Sequence, residues 1–310
     1  MEKYKILIDT DPGVDDALAI LIAHEHADVL GLSVAAGNVG LNHTVANGLK
    51  LIEVIGANTP VFAGCATPLV HAAVDAANVH GEDGFGDTGY APSARQAESE
   101  HAALAILRLS HEYAGTFVLV AMAPLTNLAL ALKLDPTLPR RVAKLVIMGG
   151  AVTGRGNYER VPAEFNIGFD PEAAHVVFST WPHFVLVDWE TTVRHGIEFA
   201  RIEALLAGND ARARFYASIS RKTRDWTRER GRPKVLIADA LAMAVALEPG
   251  IVKRAEEHFV AVEIDGALTR GATVVDWQDR LGKAPNAQIV LEVDQSRFES
   301  LIAAALDGSA

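Results

Sequence analysis

Residues 5–23, KILIDTDPGVDDALAILIA, decide how the rest of the chain is read. Ile6, Leu7 and Ile8 are a continuous apolar run, which reads as a strand buried on both faces of a parallel sheet. Pro12 and Gly13 break that strand and turn the chain. Residues 17–23 then have the composition of a helix packed against the sheet. Four aspartates, Asp9, Asp11, Asp15 and Asp16, fall between the two apolar runs. They are expected at the carboxyl end of a strand, where open α/β sheets hold their ligands. Like charges this close repel unless a positive group lies between them, and oxygen-only donors favour a hard cation, calcium or magnesium. The competing reading is local: Asp15 or Asp16 caps the helix, and Asp9 and Asp11 are solvated turn residues.

Outward from this stretch, strand-like and helix-like segments alternate, the pattern of a mostly parallel α/β sheet. Strands are expected at residues 29–36 (VLGLSVAA), at TPVFAG, and at 116–121, 145–148 and 184–187. Helices are expected at 44–55, at 101–113, after Pro124, and from the Asp170-Pro171-Glu172 start signal. Residues 236–247 form another apolar helix, with Asp239 near its start as either cap or ligand. The segments 259–277 and 288–293 alternate like antiparallel strands, and 297–305 reads as a closing helix. The fold class is therefore α/β, a single open, mostly parallel, Rossmann-like sheet flanked by helices, with an antiparallel portion near the C-terminus. No repeat or linker divides it, so residues 1–310 are read as one domain.

Two stretches break the pattern. Residues 72–89 lose periodicity and gather Gly81, Gly84, Gly86 and Gly89, so they are either a functional lid or disordered. Residues 221–234 (RKTRDWTRERGRPK) carry seven basic residues against two acids. They form a solvated helical face or a segment that carries Trp226 over a site.

Composition sets the outer bounds. Half of the 310 residues are hydrophobic and 22% are charged, ample for a core. The net charge of −11 argues against nucleic acid as a partner. No apolar run reaches the ~18–20 residues a membrane span needs, and MEKYKILID enters a strand directly, without a leader-like segment. A single cysteine, Cys65, suits a reducing compartment and reads as a small buried hydrophobe. The cytoplasm is the expected location.

DTDPGVDDA at 9–17 resembles the signature of the calcium-dependent nucleoside hydrolases. The likeness continues in order through AAGN ending at Asn38, HGEDGFG from His80, LTNLA from Leu125 and MGG from Met148. AEFN (163–166), FDPEAA from Phe169 and TRGATVVD (269–276) extend it. The resemblance implies hydrolysis of the N-glycosidic bond of small-molecule ribonucleosides, giving ribose and free base. It implies Ca²⁺ held by Asp11, Asp16, Asp239 and the backbone carbonyl of Met122. Asp11 would also be the base that activates the attacking water, with Asn38 orienting it and an oxocarbenium-like transition state following. Asp15, Asn38, Asn157, Glu164 and Asn166 would hold the ribose, Met148 would line its floor, and Asp9 would brace the cluster. His80 and Trp226 are the candidates for the base end, His80 also as an acid. Members form homodimers or homotetramers.

Two departures stand out. Many members carry histidine immediately before the last aspartate, where this chain has Ala238. The loop at 154–162 is one residue longer than in the members compared, which weakens the match of Asn157. The missing acid leaves open a non-catalytic Ca²⁺/ribose-binding protein of the same fold. An aspartyl-phosphate phosphatase built on Asp9-x-Asp11 is a third reading, but it leaves Asp15-Asp16, AEFN and Asp239 unexplained.

Overall fold

The computed structural model describes residues 4–307. Among them β1 (Tyr4–Thr10), β2 (Ala27–Val34), β3 (Val61–Ala63), β4 (Phe117–Ala121), β5 (Lys144–Met148) and β6 (Phe184–Val187) pair in parallel. Two short strands, β7 (Ile197–Glu198) and β8 (Lys234–Val235), pair antiparallel outside the main sheet. β9 (Val252–His258) and β12 (Ala287–Val293) complete the main sheet, in the order β3-β2-β1-β4-β5-β6-β12-β9, while β10 (Val260–Val262) and β11 (Thr273–Val275) form a separate antiparallel ribbon. The expected antiparallel portion is present, with one refinement: β12 runs antiparallel to β9 but parallel to β6.

β1 shows why the sheet is buried on both sides. Ile6 and Ile8 point into one core, Leu7 into the other, and all three are at most 1% exposed. Each contributes roughly 1.5–3 kcal/mol by its burial. Helices Val14–His26, Ala238–Leu247 and Gln295–Asp307 cover the first face. Helices Ala102–Glu112, Thr126–Leu134 and Pro171–Thr180 cover the second. The start signal at 170–172 operates as read: Asp170 caps its helix by accepting from Ala173 N–H, and also accepts from Leu69 N–H and Thr126 Oγ1.

The glycine-rich stretch is ordered rather than disordered. It contains the short helix Ala77–His80, and Phe85 is fully buried beside Tyr90 and Phe215. Asn47 Nδ2 ties it to the β1 turn by donating to both Pro12 O and Asp83 O. One anchoring phenylalanine has no periodicity, so sequence pattern could not register it. The basic stretch becomes the helix Arg221–Glu229, with Thr227 buried and Thr223 Oγ1 donating to Val79 O.

Strand order reverses between β1 and β4, which leave the sheet centre in opposite directions. A crevice opens at the carboxyl ends of two such strands. The site lies there.

Candidate active site

The turn after β1 delivers the carboxylates. Asp16 sits in the first turn of helix Val14–His26, and its Oδ2 reaches back to accept from Gly13 N–H at 3.0 Å. That is a helix cap, as the local reading allowed, but Oδ1 also accepts from Thr10 Oγ1 at 2.5 Å and Oδ2 from Asn38 Nδ2 at 2.9 Å. Asp11 Oδ2 accepts from Asn38 N–H at 2.7 Å, and Asn38 Nδ2 also donates to Asp11 O. Asn38 therefore locks the two aspartates to the end of β2. Asp239 arrives from 223 positions after Asp16, on the first turn of helix Ala238–Leu247, whose cap position is Ile237. Asp239 is thus not the cap.

Carboxylate oxygens of Asp15, Asp16 and Asp239 all lie within 4.8 Å of one another. Asp11 adjoins the group with its carboxylate turned towards Asn38. The resemblance assigns Asp15 to ribose rather than to the metal; the fold places its carboxylate beside those of Asp16 and Asp239. Burial, and then the neighbouring aspartate charges, hold Asp11 and Asp239 well above the usual carboxylate range. Burial raises Asp15 and Asp16 to about 6. An all-oxygen nest of mutually repelling carboxylates fits a hard divalent cation, which would restore their ionisation.

The Met122 carbonyl, at the end of β4, accepts from Asn166 Nδ2 at 2.7 Å. Its second lone pair stays available to a metal. Asn166 also donates to Met148 O at 3.3 Å, so one side chain ties the ends of β4 and β5. Glu164 caps the short helix Phe165–Phe169 and accepts from the N–H groups of Gly150, Asn166 and Ile167. Burial raises it to about 7. Asn157 is exposed, and its Oδ1 accepts from Phe165 N–H. Met122, Met148, Asn157, Glu164 and Asn166 line one cavity of about 640 Å³, with Asp11, Asp15, Asn38, His80, Trp226 and Asp239 also on its wall; Asp9 and Asp16 lie behind it.

His80 is buried on the cavity wall, and its Nδ1 accepts from Val14 N–H at 3.1 Å. Nδ1 is therefore unprotonated, the ring is neutral, and burial lowers its pKa to about 4. A neutral imidazole donates a hydrogen bond through Nε2 but is a poor proton source. Ala238 offers only its methyl group and its backbone N–H, which Asp15 accepts.

The sequence reading named Asp9 as a brace but missed its partners and several other supporting residues. Asp9 is fully buried and braced by Ser33 Oγ at 2.5 Å and Asn127 Nδ2 at 3.0 Å. Asn127 Oδ1 in turn accepts from Cys65 N–H. A serine inside the apolar run of β2, and the asparagine of LTNLA, were the available signals. Gly37 is needed for close approach: a Cβ there would lie 2.1 Å from Asp11 Oδ2. Tyr158 bridges two loops over the cavity through Val74 N–H, which it accepts at 3.2 Å.

With the geometry in place, comparison with known proteins is informative. Residues 6–300 match the family described as inosine-uridine preferring nucleoside hydrolase. The pyrimidine-specific ribonucleoside hydrolase of Shigella sonnei is 35% identical over 307 residues, 97% of this chain and 96% of that one. Among solved structures, an inosine-guanosine nucleoside hydrolase superposes with a TM-score of 0.92 at 33% identity, covering 98% of each chain. A purine-preferring ribonucleoside hydrolase from Gardnerella vaginalis gives 0.89 at 28% identity, again covering 98% of each. The base preferences in these descriptions differ, so likeness alone does not select a base.

Proposed function

The chain belongs to the inosine-uridine preferring nucleoside hydrolase family and is a ribonucleoside hydrolase, an N-glycosidase; from that premise we propose how its residues divide the work. The carrying observation is the meeting of Asp15, Asp16 and Asp239 beside Asp11 at the strand-order reversal, with Asp11, Asp15 and Asp239 on the wall of a cavity of about 640 Å³.

Asp11, Asp16, Asp239 and the Met122 carbonyl would hold Ca²⁺, with Asp15 alongside. When bound, such an ion would supply the positive charge that keeps these carboxylates ionised and a hard centre for oxygen donors. Asp11 accepts the proton of the attacking water, and Asn38, fixed to Asp11 and Asp16, orients that water. Attack at C1′ comes from the face opposite the base, and positive charge develops on the ring as the C1′–N bond stretches. The surrounding carboxylates stabilise that charge electrostatically. Asp15, Glu164 and Asn166 hold the ribose hydroxyls, Asn157 the far end, and Met148 the floor. Asp9 braces the cluster from behind. A deoxyribose would leave a buried polar group unpaired, at a cost of roughly 1–3 kcal/mol. His80 faces the base end as a hydrogen-bond donor, and Trp226 as an aromatic surface.

The test is incubation with inosine, adenosine, guanosine, uridine and cytidine, with and without a chelator, scoring free base by chromatography. Base release that stops on chelation and returns with Ca²⁺ is expected. No release from any nucleoside in the presence of metal would sink the proposal. Ala238 supports a second reading, a Ca²⁺- and ribose-binding protein without turnover, which predicts calorimetric nucleoside binding and no products.

The same reading takes residues 1–310 as one domain acting in the cytoplasm as a homodimer or homotetramer, on a small-molecule substrate and not on nucleic acid. The net charge of −11 supports the last point. Among the described residues no helix is long and apolar enough to cross a membrane.

A further inference from the structure

Two guanidinium groups on the cavity wall have no part in the carboxylate site. Helix Arg221–Glu229 ends with Gly231 at φ 64°, whose N–H donates to Arg228 O while Arg232 N–H donates to Thr227 O. This doubly bonded, left-handed helix end folds the chain back on itself. It brings both Arg230 and Arg232 to the Trp226 ring, with Cζ at 3.9 and 5.0 Å from the ring centroid. Nearby cations are already engaged: Arg228 pairs with Asp225 and Glu203, Lys222 with Asp87, and Arg224 donates to Ala217 O and Ser220 Oγ. Arg230 Nη1 donates a long hydrogen bond to Trp226 O at 3.5 Å, but among the described residues neither Arg230 nor Arg232 has a carboxylate partner. Both line the cavity that Asp11, Asp15 and Asp239 line elsewhere. The cavity wall thus carries guanidinium groups on an aromatic platform as well as carboxylates. Ala238, next to Asp239, has no side-chain proton to give, and His80 Nδ1 accepts from Val14 N–H.

We propose that Arg230 and Arg232 receive the departing base as an anion, through its exocyclic oxygen. This rests on the hydrolase reading above. The water oxygen bonds to C1′ as the C1′–N bond breaks, and that electron pair leaves with the base. The water proton goes to Asp11, and the base anion takes its proton afterwards from solvent. Negative charge on the leaving base spreads to its exocyclic oxygen, where a guanidinium, which has only donors, is matched. The same donors match the oxygen and ring-nitrogen edge of a 6-oxopurine and oppose the amino edge of adenine. A pyridinium riboside, whose base leaves neutral, gains nothing from them and is repelled on entry.

The test compares kcat/KM for inosine and for a pyridinium riboside in the wild type and in the double variant Arg230→Gln/Arg232→Gln. Loss of charge-assisted contacts at a partly exposed site should lower the inosine-to-pyridinium ratio by about tenfold or more. An unchanged ratio, including a parallel fall on both substrates, overturns the proposal. Calorimetry with free hypoxanthine gives a readout that does not need turnover. Affinity about tenfold weaker in the double variant, with the gap closing at high salt, supports the role; equal affinities overturn it. A wild type that binds hypoxanthine through these arginines yet cleaves no riboside would instead refute the hydrolase reading.

Discussion

At the carboxylate end of the cavity, Asp11, Asp16 and Asp239 are between 0 and 3% exposed, and the first two are fixed by hydrogen bonds to backbone and to Asn38. At the Trp226 end, helix Arg221–Glu229 has only Thr227 buried, and Trp226 is half-buried beneath exposed arginines. The first end is an extension of the sheet, held where β1, β2, β4 and β5 finish. The second rests on the short helix Ala77–His80 through Thr223 and Val79. Chemistry common to all ribosides needs groups held to a fraction of an ångström, and a sheet edge supplies that. Selectivity among bases tolerates, and uses, a part that can vary without disturbing the core.

The contrast breaks if damage at the two ends has the same effect. Asp239→Asn should cause the largest loss, lowering base release by at least ~10²-fold on every nucleoside, because it removes an electrostatic group from the reacting end. Parallel kinetics on a purine and a pyrimidine riboside check that the loss is uniform. Gly37→Ala comes next. Its Cβ would strike Asp11 Oδ2, and the displaced carboxylate should cost about 10- to 10²-fold in kcat with the fold retained. Circular dichroism alongside kinetics separates misplacement from unfolding. Asn127→Ala leaves the buried Asp9 carboxylate with Ser33 alone and should cost roughly 1–3 kcal/mol of stability, read as a lower denaturation midpoint. Its effect on kcat should be smaller than that of Gly37→Ala. Trp226→Ala should have the smallest effect on turnover, while changing the ratio between bases by up to ~10-fold through lost stacking. A uniform fall across all nucleosides would place Trp226 in the common machinery and dissolve the contrast.

The two ends were also unequally legible in the sequence. The turn DTDPGVDDA announced its carboxylates because four acids between a strand and a helix have few bland explanations, and Asp239 stood out in an apolar helix. Asn38 was found because it closes an apolar strand. Ser33 and Asn127 were missed as supports for Asp9, because their role depends on the pairing of β1 with β2 and β4 across distant segments. The resemblance assigned Asp15 to ribose; that its carboxylate also meets those of Asp16 and Asp239 follows from the packing of helix Val14–His26 against helix Ala238–Leu247, which spacing alone does not show. The placement of Arg230 and Arg232 was illegible for a different reason. A basic amphiphilic stretch reads as a solvated face, and only the helix end at Gly231 turns its last cations onto Trp226.

The central claim is that Asp11 takes the proton of the attacking water while sharing the cation with Asp16 and Asp239. The direct measurement is kcat of Asp11→Ala on inosine at saturating Ca²⁺, with nucleoside binding followed by calorimetry in the same preparation. Retained binding with kcat lowered by at least ~10²-fold is the predicted result. Turnover close to that of the wild type would contradict the assignment and move the base elsewhere in the cluster.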